Sequence, residues 1–139
     1  MELAQTMRQC DRDELSASSA EHPGDALMNG LMASTQAWAG LVDGEVACMF
    51  GVVPASMIGG KGIVWMLASP LIEKHQKAFL RRCRAMVASM ARNYPLMHNY
   101  VDARNTKSIR WLRWLGFTIE EPEPRGFAGL PFHHFYMRT

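Results

Sequence analysis

Residues Asn99–Phe117 read NYVDARNTKSIRWLRWLGF, and this run decides the fold. A short β-prone segment ends at Asp102. Asn105 then stands where a helix wants a side chain that accepts a backbone N–H. Ile109, Leu112 and Leu115 follow at helical spacing. Gly116 stops the helix at a position that favours a left-handed residue, and an aromatic residue, Phe117, comes next.

The long run before this stretch is also helical. From His75 to Tyr94, Phe79, Cys83, Met86, Val87, Met90 and Tyr94 recur on one face with arginines on the other. Pro95 ends that helix, and Met97–Val101 reads as a strand. Trp38–Val42 and Glu45–Val53 are β-prone runs joined by Asp43-Gly44, a strong hairpin signal. Pro54–Gly62, with Gly59-Gly60, reads as a loop, and Ile63–Leu67 as a third strand. Leu3–Ser16 reads as one helix with Leu3, Met7, Cys10 and Leu15 as its apolar residues. His22-Pro23-Gly24 breaks it, and Asp25 is expected to cap a second helix through Met32. Phe117–Glu120 and His133–Met137 form two final strands around a Pro/Gly-rich loop. A strand, crossover helix, strand unit requires parallel pairing, so an α/β mixed sheet is expected, folded as a single domain over residues 1–139.

Composition excludes several classes. The 139 residues are 48% hydrophobic, ample for one core. No apolar run is long enough to span a bilayer, and charges in Met1–Leu15 argue against a signal peptide. The three cysteines, Cys10, Cys48 and Cys83, are odd in number and far apart, which fits buried thiols of a cytoplasmic protein. Ten of the fifteen basic residues lie between Lys74 and Arg113, where Asp102 is the only acid. Such a window suits a phosphorylated ligand; it lacks the aromatic-interleaved groove of single-strand binders, so nucleic acid is not the expected partner. No Cys-x-x-Cys, His-Glu-x-x-His, Gly-x-Ser-x-Gly or P-loop is present, and no metal site is expected.

The spacing Asn105, Ser108, Leu112, Gly116-Phe117 resembles the closing half of the Gcn5-related N-acetyltransferase (GNAT) domain, with Leu112 where that family carries Tyr. The resemblance implies a mostly antiparallel sheet with a splayed central parallel pair, Ile63–Leu67 and Met97–Val101, and flanking helices. It also implies acetyl-CoA in the splay and an amine acceptor, a small molecule or a protein. The family's first strand has no counterpart here. The residues that would meet the cofactor are Leu67, Ser69, Lys74, His75, Lys77, Asn105 and Ser108. The family's Gly-containing phosphate turn is replaced by Ser69-Pro70-Leu71-Ile72-Glu73-Lys74-His75-Gln76-Lys77, where no glycine opens the backbone and Pro70 removes a donor. No catalytic residue carries over; His98, Tyr100, His133, His134 and Tyr136 are the ionisable candidates, each with a structural role as the plainer reading. The run Val52–Phe117, with Gly59-Gly60, Trp65, Asn99-Tyr100-Val101 and Asn105…Ser108-Ile109-Arg110, is also similar to the internal virion protein A family of short-tailed phages and prophages. That likeness implies phage structural proteins as partners, virion association, and a non-catalytic role in particle assembly. Trp111 and Trp114, three apart on one helix, cannot both face the core, so one is expected at a protein contact or in the strand gap.

Overall fold

The computed structural model describes residues 2–18, 23–55, 60–126 and 128–139. Its elements are α1 (Glu2–Thr6), α2 (Gln9–Ser18), α3 (Pro23–Ala33), β1 (Gln36–Val42), β2 (Glu45–Pro54), β3 (Lys61–Ala68), α4 (Leu71–Lys74), α5 (Gln76–Asn93), β4 (Leu96–Asp102), α6 (Thr106–Leu115), β5 (Thr118–Arg125) and β6 (Leu130–Arg138). The strands form one sheet in the order β1-β2-β3-β4-β6-β5. Among the described strands only β3 and β4 run parallel, the α/β mixed sheet that the crossover requires.

The hairpin lies where Asp43-Gly44 places it. Both turn residues have positive φ, 50° and 82°, the geometry that matches the twist of the flanking strands. Helix α6 spans the expected Thr106–Leu115 and is closed at both ends by its own sequence. Asn105 Oδ1 accepts from Ser108 N at 3.3 Å. Gly116 adopts φ 105°, so Gly116 N donates to Arg113 O and Phe117 N to Leu112 O. That pair of bonds is a Schellman closure, which a residue with a Cβ would strain.

Helices α5 and α6 cover one face of the sheet. Val87 and Met90 of α5 and Ile109 of α6 pack on Val52, Val64, Met97, Val101, Phe117 and Phe135. Burying each such side chain stabilises the fold by about 1.5–3 kcal/mol. Trp65 lies on the opposite face, where its indole N–H donates to Ser34 Oγ at 2.7 Å beside α3.

Several expected boundaries shift. Leu3–Ser16 is two helices rather than one, because Arg8 N leaves the helix ladder to donate to Ala68 O at 2.6 Å. Asp25 stands in the first turn of α3, not at its cap, since the helix opens at Pro23, whose fixed φ suits a first position. His22 and Gly59 lie outside the described residues. The strands claim both ends of the Pro54–Gly62 loop, and α4 is a short turn that periodicity does not reveal. Helix α5 begins at Gln76, with His75 as its cap. Strand β5 starts at Thr118 and runs on through Pro122 and Pro124. Prolines are tolerated there because β5 is an edge strand with a register shift between Ile119 and Pro122.

Candidate functional site

The parallel pairing of β3 and β4 lasts only from Lys61↔Leu96 to Ile63↔His98. Beyond it the strands part. Asn99 Nδ2 donates to Val64 O at 2.6 Å, bridging the sheet at the point where backbone bonding stops. Odd-numbered residues of β3 turn their N–H and C=O toward β2, as Ser69 N to Ala47 O and Ala55 N to Lys61 O show. Alternation therefore turns the backbone groups of Val64, Met66 and Ala68 into the gap.

A cavity of about 550 Å³ fills this gap and continues beneath α5 and α6. Its inner wall is apolar, with Cys83, Met90, Trp111, Leu112 and Phe117; Trp65, Tyr100 and Arg125 line it on the other face. The Cys83 thiol is pushed up to about 12 by burial, with Cys48 adding to the rise. Trp111 is buried and lines the cavity, whereas Trp114 is 43% exposed with the Arg84 guanidinium 3.7 Å over its ring. The two tryptophans divide as their spacing requires.

The N-terminal helices close the far end of the gap. Asp11 Oδ2 accepts from Ala68 N at 3.0 Å, and Arg8 N takes the Ala68 carbonyl. The Arg8 side chain, 2% exposed, forms a two-pronged contact with Asp11 at 3.0 and 3.1 Å and donates to Ser108 Oγ at 3.2 Å. Its Nη1 is buried with no hydrogen-bond partner among the described residues, 3.6 Å from Glu73 Oε1. Glu73 Oε2 also meets Lys107 Nζ at 2.9 Å. One carboxylate thus stands between two cations at the start of α5, where a helix N-terminus already favours an anion.

Of the residues singled out from the sequence, Leu67, Asn105 and Ser108 share the cavity wall. Ser69 and Lys74 instead line a separate hollow of about 170 Å³ with Thr6 and Glu45. His75 caps α5 and Lys77 lies in its first turn, both exposed and outside either hollow. Lys74 and Lys77 therefore share no hollow with Asn105. Asn105 and Ser108 are also engaged, one as a helix cap and the other with Arg8. Among the described residues no cluster of metal-ligating side chains occurs, and no helix is long and apolar enough to cross a membrane.

No family model matches the chain, and no curated protein matches it in sequence. Solved structures do match in shape. A chimera of the Vibrio cholerae spermidine N-acetyltransferase and hSSAT superposes with a TM-score of 0.65 at 12% identity, over 85% of this chain and 77% of that one. The fold is that of the GNAT acetyltransferases. A GNAT-family acetyltransferase from Streptococcus pneumoniae gives 0.63 at 13% identity, over 88% and 78%. A Bacillus subtilis acetyltransferase solved in complex with CoA gives 0.64 at 8% identity, over 83% of each chain. At such identities the likeness concerns the GNAT fold alone.

Arg8, Asp11 and Glu73 meet at the end of the gap without a signal in the sequence. Arg8 and Asp11 are three apart, a helical spacing, but they sit among Arg12, Asp13 and Glu14, and nothing local marks them as the buried pair.

Proposed function

We propose that this GNAT-fold protein is an acyltransferase that takes acetyl-CoA and passes its acyl group to an amine, on a small molecule or a protein. The observation that carries the reading is the cavity between the parted β3 and β4, with the backbone of Met66 turned into it. A pantetheine arm is a slender chain with amide groups, and a strand edge facing an apolar wall suits it. Leu67, Asn105 and Ser108 would flank the arm. Lys74 and Lys77, with the first-turn N–H groups of α5 after His75, would meet the phosphates. The arm fits this chain better than the diphosphate does, since Glu73 occupies the cationic corner and Ser69–Lys77 holds no glycine.

Acetyl-CoA supplies an activated thioester. The chain's own part is to hold it in the gap, shield it beneath α5 and α6, and bring an amine to the opening. Leu112 has no proton to give, so the departing thiolate must leave without a helix donor.

A non-catalytic role is the second reading, favoured by the Arg8–Asp11 closure of the gap at Ala68 and the exposed Trp114. In that case the fold serves protein contact, with phage structural proteins as the partners to test by pull-down.

Calorimetric titration with acetyl-CoA and CoA separates the two. Micromolar binding supports the acyltransferase. No heat and no thermal shift at millimolar ligand removes it in favour of the contact role.

A further inference from the structure

Helices α5 and α6 wall the cavity unevenly. On α6 the polar residues that line it, the cap Asn105 and Ser108, stand at the first turn, whereas Leu112 and Leu115 line it from the last turns. On α5, Cys83, Val87 and Met90 line it from one helix face, all buried. Phe135 of β6 continues this wall and packs edge to face on Phe117, ring centres 5.3 Å apart. Leu112 brings no hydroxyl where the GNAT spacing has Tyr. The Cys83 thiol, kept protonated by burial, behaves as a small apolar group. His98, His133, His134 and Tyr136 line no part of the cavity. His98 Nδ1 instead lies 3.0 Å from His134 Nε2, and His134 Nδ1 meets the Glu120 carboxylate. The space beneath the helices is thus an apolar chamber that opens into the gap.

The parts of a thioester donor divide between gap and chamber. Pantetheine amides need hydrogen-bond partners, and the Met66 backbone offers them at the strand edge. Beneath the helices an amide would find none. Alkyl carbon suits that space, because a chamber walled by such side chains stays dry when empty and takes apolar ligands. A single methyl group would leave most of the wall without contacts, and each further methylene gains some.

Resting on the acyltransferase reading above, we propose that the chamber between α5, α6 and the sheet is an acyl-chain site, and that the donor it prefers is a medium-chain acyl-CoA rather than acetyl-CoA. The thioester lies at the Met66 edge, with its chain among Leu112, Val87 and Met90. The side-chain sizes at Val87 and Leu112 then set the chain length that fits.

Calorimetry on the whole protein with CoA, acetyl-CoA, butyryl-CoA and hexanoyl-CoA tests this. Affinity should rise about fourfold per added methylene from acetyl to hexanoyl. Val87→Phe and, as a second variant, Leu112→Phe fill the chamber and should bring the hexanoyl-to-acetyl affinity ratio down toward one, with folding checked by circular dichroism. NMR on the wild type needs no variant: nuclear Overhauser contacts should join the terminal methyl of hexanoyl-CoA to the Val87 and Leu112 methyls. Equal affinity for acetyl-CoA and hexanoyl-CoA, a ratio that survives in the folded variants, or absence of those contacts overturns the acyl-chain site and leaves the acyltransferase reading standing. A wild type that binds none of these ligands overturns that reading and the acyl-chain site with it.

Discussion

Asn99 reaches across the opening sheet to the carbonyl of Val64, 2.6 Å away, at the place where two parallel strands cease to bond each other. This side chain replaces a ladder bond and sets where the gap begins. Asn99→Leu would leave a half-buried carbonyl without its donor, at a cost of about 1–3 kcal/mol. Urea unfolding should show that loss as a lower midpoint with an unchanged slope. An unchanged midpoint would mean that the strands part without help from Asn99.

Glu73 holds Arg8 and Lys107 together at the start of α5. If those cations serve a diphosphate, removing the carboxylate should release them. Glu73→Gln is expected to tighten CoA about tenfold, roughly 1.4 kcal/mol, while dephospho-pantetheine affinity stays the same. Weaker CoA binding in the variant would assign Glu73 a purely structural role.

Arg104 clasps the buried Asp102 carboxylate with bonds of 3.0 and 2.7 Å. Burial pushes that carboxyl upward, but the Arg104 hydrogen bonds and charge prevail and hold it below 3.8. A carboxyl depressed in the folded state adds stability above its unfolded pKa and loses it as pH falls through the folded value. Arg104→Gln should therefore move the acid-unfolding midpoint to higher pH, read by circular dichroism below about pH 4. A midpoint that stays in place would count against the clasp.

Cys83 is 6% exposed and lines the cavity. With its thiol near 12, it holds almost no thiolate at pH 8, so native protein should leave Cys83 unmodified by iodoacetamide while denatured protein alkylates it. The raised pKa contributes stability below the unfolded value of 9.0 that fades as pH climbs toward 12. Mass spectrometry of peptides reads both states. Rapid native alkylation would show that the cavity opens to reagent.

Helix α5, the Asp43-Gly44 hairpin and helix α6 were legible because each is encoded over a few residues. Asn105 reaches only to Ser108, and the Gly116 closure only to Arg113 and Leu112. The break at Arg8 and the short α4 turn were not legible, since the first depends on the end of β3 and the second has too few residues to show a period. The candidate residues divide by position: Asn105 and Ser108, marked by their spacing, line the cavity, whereas Lys74, His75 and Lys77, marked only as charges in one turn, do not.

By itself the sequence determined helices α5 and α6, the hairpin and the parallel crossover, because spacing, turn chemistry and chain connectivity act at short range. Tertiary structure alone decided that Arg8 and Asp11 close the gap at Ala68, that Glu73 lies between two cations, and that His98, His134 and Glu120 align. Those partners are far apart along the chain. Their meeting is set by sheet register and by where β3 and β4 part, so in sequence each is one more polar residue.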